Sequence, residues 1–503
     1  MDALLISNAI KSLPDYSYLK KRFRKGYLRQ IDRYITVQRG RKTLIANSFF
    51  INHVLIADNN RALKLIDIFR EPLYFTVFLV RIATAFRINL SKPGVRNLNI
   101  LRDIFDIARQ FIRYRFVVQA NFNEYEQLKL LRESLRPHPK YPEVVYVIPS
   151  LDCNFRCPGC FIYRGDWKIK KQTMMSTNVF DYEHEVVMRT LPHNKKSPLL
   201  YRFYGGEPLL NKPLIEYASN KIRSLEKKGR YGIIRPVISI TTNASLIDED
   251  FIRMCKKYRI VLIISLDGTG TSHDSRRKWP NGRGTFKDVL RKIRLVEKLS
   301  YDYKLSWTIW SENIDRTLQD ISWVAKYLKT RDVCFNFAHT FRTPPYKDIG
   351  EPEFFKKMHR IYDALLKHGI QEGRLSGYRM VNKLKKNRLP YPYYCTAVGG
   401  GQFVLRPDGK IGLCQAGSMF EEKQWQRPEE IGIPSENPER LRWLARTPSL
   451  MKKCYLACPY FSRCPGGCPY WAEKCGERIC DPCATYCMIE KFLVERALIE
   501  DYL

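Results

Sequence analysis

Six short apolar runs recur in this chain, at residues 144–148, 199–204, 237–241, 260–265, 304–309 and 333–337. Each is too short for a helix and too continuous for a strand with one wet face, so each reads as a strand buried on both sides. Helical patterns lie between them. The clearest covers residues 213–228, where Leu214, Ala218, Ile222 and Leu225 form one stripe, Pro213 stands at the start and Gly229 follows the end. Repeated strand–helix units require a parallel sheet with right-handed crossovers, and six of them make an incomplete (βα)6 barrel, an α/β fold. Such sheets carry function at the C-terminal ends of their strands. The unusual residues collect there: Cys153, Cys157 and Cys160 after the first run, Gly205, Gly206, Glu207 and Pro208 after the second, Thr242 and Asn243 at the third, and Ser265, Asp267 and Gly268 at the fourth. Four such coincidences predict one shared pocket.

The 503 residues are 45% hydrophobic and 13% aromatic, which excludes a disordered chain and allows about three domains. Four blocks are expected: a basic, mainly helical block without cysteine at 1–140, the strand–helix block at 141–345, a bridge rich in Lys, Tyr and Pro at 346–394, and a cysteine-rich block at 395–503. With 86 Lys plus Arg against 51 Asp plus Glu, the net charge of +35 attracts anionic partners. No secretory signal pattern is visible at the N-terminus. The most apolar stretch, residues 73–86, contains Arg81 and falls short of the ~20 residues a bilayer needs. The expected compartment is therefore the cytoplasm, with no membrane span. Thiols stay reduced there, so fifteen cysteines point to metal or catalysis before disulfides. Three lie within 153–160 and ten within 395–487. Cys255 and Cys334 stand alone and read as small buried hydrophobes.

The segment CNFRCPGC sets Cys153, Cys157 and Cys160 on one loop. Taken alone, three such cysteines suit a zinc site, core packing or an iron–sulfur cluster. Three thiolates on a four-iron cluster leave one iron open. The spacing, directly after a first strand, resembles the radical S-adenosylmethionine (SAM) superfamily over about residues 144–340. That resemblance implies a [4Fe–4S] cluster whose open iron chelates SAM, and reductive cleavage of SAM to a 5′-deoxyadenosyl radical that takes hydrogen from a substrate. It also implies a protein reductant such as a flavodoxin or ferredoxin. Gly205, Gly206, Glu207 and Pro208 match the family's GGEP loop, whose glutamate accepts the SAM amine. The segment around Asn243 resembles the family's TNG, with Ala244 in place of glycine. Ser265–Gly268 and the following HDSRRKWPNGRGTF resemble a stretch of peptide-modifying members in which the serine and an arginine hold the SAM carboxylate. Alignment on Gly282 and Gly284 selects Arg277 over Arg276. No catalytic base is assigned.

The C-terminal cysteines also form a pattern. Cys395 is followed by Gly409 and Cys414, then by Cys454, Cys458, Cys464 and Cys468, then by Cys475, Cys480, Cys483 and Cys487. This resembles the SPASM domain, with one departure: three residues, where the family has two, separate Cys454 from Cys458. The resemblance implies two auxiliary clusters, three clusters in all. Cys395, Cys414 and Cys468 would serve the first. Cys454, Cys458, Cys464 and a late cysteine would serve the second, with Cys483 favoured and Cys487 as rival. The alternative is a zinc-ribbon module.

Residues 43–118 read as short strands, two helical patterns and a helix leading to a strand. They resemble the RiPP recognition element, a winged-helix domain that captures the leader of a ribosomally made precursor by strand addition; an ordinary helical cap is the alternative. The combined reading is a radical SAM peptide maturase that installs a crosslink or an oxidation on a leader-bearing peptide. The alternatives are an RNA-modifying radical enzyme and a sulfatase-maturase-like protein oxidase. The sequence carries no basic-and-aromatic motif of a known RNA module, so nucleic acid is not the expected partner.

Overall fold

A computed structural model describes residues 8–23, 28–30, 33–39, 42–48, 54–57, 61–134, 142–160, 174–191, 198–231, 235–338, 349–372, 395–416, 425–426, 441–443, 446, 450–464, 466–474, 478 and 481–502. The six apolar runs all form strands. They are β4 (Val144–Val147), β5 (Leu200–Phe203), β6 (Val237–Thr242), β7 (Ile260–Ser265), β8 (Tyr303–Ile309) and β9 (Asp332–Phe337). Each pairs in parallel with the next, in sequence order. This is the order that right-handed strand–helix–strand units impose.

The sheet extends beyond these six strands. At one edge β10 (Gln371–Glu372) adds in parallel to β9. At the other, β11 (Gln402–Leu405) adds in parallel to β4, with Gln402 opposite Val144, and the antiparallel β12 (Ile411–Gly412) and β13 (Trp425–Gln426) follow. The cysteine-rich block thus contributes strands to the same sheet.

The helices explain themselves locally. Lys212–Lys227 starts at Asn211, whose side chain accepts the Leu214 N–H, and carries Pro213 in its first turn. It ends as a Schellman motif: Gly229 takes φ +69°, and the Gly229 and Arg230 N–H groups bond the carbonyls of Glu226 and Leu225. Its buried stripe of Leu214, Ile215, Ala218 and Ile222 joins the main core with β5 and β6. Within the expected bridge, Glu351–Lys367 is a helix, and Phe354 meets Phe492 of the C-terminal helix Ala484–Tyr502. Most of the rest of the bridge lies outside the described residues, as do Cys475 and Cys480.

The N-terminal part is less purely helical than its composition suggests. A three-stranded antiparallel sheet of β1 (Tyr34–Arg39), β2 (Lys42–Asn47) and β3 (Val54–Ala57) precedes the helices Arg61–Ile68, Phe75–Phe86 and Val95–Arg113. The helices bury one apolar core of their own. One face of the sheet, carrying Ile35, Val37, Leu44 and Ala46, packs on Val494, Leu498 and Ile499 of the C-terminal helix. No helix among the described residues is long and apolar enough to cross a membrane.

A buried polar chain lies between helix Thr177–Arg189 and the sheet. His184 Nε2 is 2.7 Å from the Tyr201 hydroxyl, which is 3.1 Å from that of Tyr231. Burial pushes the His184 imidazole down to about 4, while an unfolded histidine titrates near ~6.5. Below that pH the unfolded chain binds a proton that the folded chain refuses, so stability falls with pH from ~6.5 to about 4, by ~1.4 kcal/mol per unit. This site should therefore cost the folded state ~2 kcal/mol between pH 7 and pH 5. His184→Gln should flatten that acid limb, as read from urea denaturation at the two pH values.

Candidate active site

The loops that leave β4, β5, β6 and β7 converge. The segment after β4 is joined to the one after β5 by two backbone hydrogen bonds: the Gly206 N–H donates to the Ser150 carbonyl at 3.0 Å, and the Glu207 N–H to that of Asp152 at 2.7 Å. The approach is too close for side chains. A Cβ on Gly205, whose φ is +136°, would lie 2.4 Å from the Ser150 oxygen, and one on Gly206 would lie 2.1 Å from that of Asp152. Both glycines are therefore dictated by this junction.

Glu207 ties the third strand to the other two. It is 1% exposed. Its Oε1 accepts the Leu209 N–H at 3.1 Å and the Thr242 hydroxyl at 2.6 Å; its Oε2 accepts the Asn243 N–H at 2.8 Å. Pro208 opens the short helix Pro208–Asn211 that this carboxylate caps. A carboxylate has about four acceptor directions. Three are taken, and one on Oε2 remains for a further donor. Burial raises the carboxyl to about 7, opposed by Thr242, Asn243 and Leu209. Asn243 reaches the other way, its Nδ2 lying 3.8 Å from Cys153 Sγ and 2.9 Å from Asn154 Oδ1. Ala244 adopts φ +67°, where glycine is preferred, a strain of about 1–2 kcal/mol.

The fourth strand supplies an arginine clamp. Ser265 ends β7 and is buried. Asp267 binds Arg277 twice, at 2.7 Å to Nε and 3.2 Å to an Nη, and also accepts the Thr308 N–H at 2.7 Å. Burial opposes the Arg277 charge, but Asp267 and the nearby Cys157 and Cys160 outweigh it and raise the guanidinium above its usual value. Arg276 takes a different course: it pairs with Glu312 and stacks 4.5 Å from the Trp310 ring centre. Trp310 fills the space beside Gly159, where a Cβ would lie 2.3 Å from its ring. Sequence reasoning missed the support behind Arg277. The Asp267 N–H donates to His273 Nδ1 at 3.1 Å, which puts the ring proton on Nε2, 3.0 Å from Thr285 Oγ1; that hydroxyl donates to the Arg277 carbonyl at 3.2 Å. The signal lay in the spacing of His273 and Thr285 within the quoted HDSRRKWPNGRGTF.

The three loop cysteines face this assembly. Burial raises the Cys153 thiol, with Glu207, Cys157 and Cys160 adding to the rise. Cys157 is raised mainly by burial and lowered by Arg277 and by the Lys278 N–H that bonds its sulfur. The Phe155 N–H donates to Cys153 Sγ at 3.4 Å. Thiols this buried stay protonated unless a strong positive charge replaces the water they have lost. N–H groups aimed at sulfur suit cluster-bound thiolates. These residues therefore fit a cluster. Among the described residues no three His, Cys, Asp or Glu side chains converge on a single ion; cluster thiolates bind separate irons and need no such convergence.

The C-terminal cysteines fall into two groups. Cys468 is half-buried, and its neighbours Cys395 and Cys414 both act on it. Trp443, Tyr470, Trp471, Tyr486 and Cys483 pack in the same cluster. Cys454, Cys458, Cys464 and Cys487 form the second group: burial raises each thiol, and Cys458 and Cys487 add to the rise at Cys454 and Cys464. The sequence reading favoured Cys483 for the second group, with Cys487 as rival. Cys487 is acted on by both Cys458 and Cys483, while Cys483 packs with Trp443, Tyr470 and Tyr486; the two cysteines lie one turn apart where the C-terminal helix begins. Cys255 is buried in the main core, whereas Cys334 on β9 is only half-buried.

Fold and site together define an α/β enzyme that holds a cofactor over the C-terminal ends of a parallel sheet. Residues 147–322 match the radical SAM superfamily. The chain is 23% identical to the radical SAM cyclopropyl synthase TigE of Paramaledivibacter caminithermalis over 340 residues, 63% of this chain and 67% of that protein. It is 24% identical to the cysteine-type anaerobic sulfatase-maturating enzyme of Clostridium perfringens over 337 residues, 63% of this chain and 86% of that protein. Among solved structures, anSMEcpe with bound AdoMet matches with a TM-score of 0.57 at 18% identity, covering 71% of this chain and 94% of its own. Streptococcus suis SuiB bound to precursor peptide SuiA matches with a TM-score of 0.50 at 13% identity, covering 91% of this chain and 99% of its own.

Gly206→Ala should force the loops after β4 and β5 apart, at a local cost of about 1–3 kcal/mol. Cluster loading at the Cys153 loop should fall with it, measured as iron bound per chain after anaerobic reconstitution. Wild-type loading in this variant would show that the junction does not hold the loop.

Proposed function

We propose that this chain is a radical SAM peptide maturase that modifies a side chain of a ribosomally made peptide, with a SPASM-like C-terminal block. The observation that carries this reading is the convergence of four strand-end loops on Cys153, Cys157 and Cys160, with Glu207 and Arg277 on either side. When bound, the cluster and SAM supply a 5′-deoxyadenosyl radical for hydrogen abstraction. The protein's own task is to bind and orient. Glu207 offers its remaining acceptor direction to the SAM ammonium, and the ammonium's charge draws the carboxyl back to its ionised form. Ser265 and Arg277 take the SAM carboxylate, with Asp267 fixing the guanidinium. Cys395, Cys414 and Cys468 serve one auxiliary cluster; Cys454, Cys458, Cys464 and Cys487 serve the other.

The peptide reading draws on the N-terminal part. Its sheet followed by three helices has the order of a peptide-binding winged helix, and strand addition at an edge such as β3 would recruit a leader. The match to SuiB, a protein solved with its precursor peptide, extends over 91% of this chain, which supports the same view. Oxidation of a protein side chain to an aldehyde is the second reading, favoured by the span shared with the sulfatase-maturating enzyme. A crosslink and the oxidation of a serine to an aldehyde each remove two hydrogens, from different atoms but with the same change of mass, so the product must be told apart by fragmentation and by an aldehyde-trapping reagent.

The proposal makes separate demands on the clusters, on SAM binding and on the peptide. Replacing Cys153, Cys157 and Cys160 with Ala should abolish 5′-deoxyadenosine formation, and wild-type protein should hold about twelve irons. About four irons with stoichiometric zinc would instead mark the C-terminal block as a zinc module. Glu207→Gln and Arg277→Ala should each weaken SAM binding by roughly tenfold to a hundredfold, a loss of ~1.5–3 kcal/mol. Arg276→Ala should stay within about twofold, and an equal loss there would reassign the carboxylate contact. Co-expression with a short peptide encoded beside this gene should give a modified product by mass spectrometry. Ile56→Glu, on the exposed side of β3, should weaken leader binding at least about tenfold.

A further inference from the structure

The loop between two cysteines of the second C-terminal group is embedded in the N-terminal part. Residues 458–464 read Cys-Pro-Tyr-Phe-Ser-Arg-Cys. Phe461 belongs to the N-terminal core, and Cys454, Tyr455 and Cys458 pack against it. Tyr460 packs with the face of β1 and β2 that carries Ile35 and Leu44. The polar contacts run both ways. The Ser48 hydroxyl donates to the Pro459 carbonyl at 2.7 Å, and Arg463, which is fully buried, donates to the Asn47 carbonyl at 2.7 Å. Arg132 stacks 3.6 Å from the Tyr455 ring centre. Arg33 donates to the Tyr455 carbonyl at 2.6 Å and lies over the Phe461 ring.

Arg33 also brings charge. Its guanidinium bonds the Tyr455 carbonyl and lies over the Phe461 ring, the residues that flank Cys458 in the loop and pack with it at the N-terminal core. Arg33 comes from the opposite end of the chain, more than 400 residues away. The first C-terminal group differs: the residues packed with it, Trp443, Tyr470, Trp471 and Tyr486, all belong to the C-terminal block.

We propose that the N-terminal part is one wall of the second auxiliary cluster site, and that Arg33 is a positioning residue of that cluster, holding the 455–461 backbone and lending it positive charge. The inference rests on the cluster reading above and deepens it. It assigns the N-terminal part a role at a metal centre that is independent of any peptide it recruits. A cation close to a cluster favours the reduced, more negative state, so its removal lowers the reduction potential. Withdrawing the wall also admits water and chelators to the thiolates.

The test uses full-length, anaerobically reconstituted enzyme. Wild type is first assayed for metal: about four irons with zinc would overturn the cluster reading itself, before any variant is considered. With about twelve irons present, Arg33→Ala should make one third of the iron, about four atoms, leave to a chelator roughly tenfold faster. One cluster's midpoint, followed by electron paramagnetic resonance in a redox titration, should move to more negative potential. Arg33→Lys, which keeps the charge, should restore the midpoint. Ser48→Ala, a milder change at the same seam, should speed release of the same third of the iron and leave the midpoint in place, and it serves if Arg33→Ala does not fold. Unchanged iron release and midpoint in folded Arg33→Ala, or unchanged iron release in Ser48→Ala, would overturn the proposal.

Discussion

Two backbone hydrogen bonds, from Gly206 to Ser150 and from Glu207 to Asp152, set the geometry on which the site depends. They bring the cysteine loop against the loop of the neighbouring strand at a distance only glycine tolerates. Glu207 then carries the junction to the next strand through Thr242 and Asn243, and Asn243 returns to the sulfur of Cys153. One carboxylate thus fastens three strand ends. Its burial would be costly without these donors, because an unpaired carboxylate in a dry site gives up its charge. On the far side, Asp267 fixes Arg277, and the His273–Thr285 pair fixes the backbone that carries it. The cysteine loop lies between these two rigid braces.

The charges inside this frame do not balance by themselves. Glu207 is buried beside three half-buried thiols, and desolvation raises Glu207, Cys153 and Cys157. Arg277 is a fixed cation beside them, yet much of its charge is already answered by Asp267. A cationic group and an electrophilic metal are what such a site lacks, and they match the ammonium of SAM and the irons of a cluster. The same logic applies to the C-terminal cysteines, where burial drives Cys454 up to about 12 and Cys487 up to about 11. Backbone N–H groups aimed at Cys458, Cys464 and Cys468 relieve part of that cost. They are the donors that thiolates need once a metal has displaced their protons.

Much of the sheet was legible in the sequence because buried parallel strands are unbroken apolar runs, and all six runs became strands. The glycines were legible as a motif, and the structure supplies the reason, which is the carbonyl each would strike. The extension of the sheet by β11 was not legible. It requires a strand after Cys395 to pair with β4, more than 250 residues earlier, and no local pattern encodes that pairing. The choice between Cys483 and Cys487 was not legible for a related reason: both lie on one helical turn, so spacing offers both. The sheet at residues 34–57 was less legible than the helices after it, because its strands are only four to six residues long.

The two C-terminal cysteine groups therefore depend on different parts of the chain. The packing around Cys395, Cys414 and Cys468 comes from the block that carries them, so it needs little beyond the strands and helices of that block. The loop through Cys458 and Cys464 has no such self-sufficiency. Phe461, Ser462 and Arg463 are almost wholly buried, and Asn47, Ser48 and the N-terminal core are what cover them. Removing the N-terminal part would uncover an aromatic ring, a buried guanidinium and a cysteine loop at once. Loss of activity after such a deletion would not isolate peptide recruitment, because it would also disturb a metal site. Substitution at the edge strand β3 disturbs the cysteine loop less, since Ile56 is exposed and Asn47, Ser48 and Arg33, which hold that loop, are left in place.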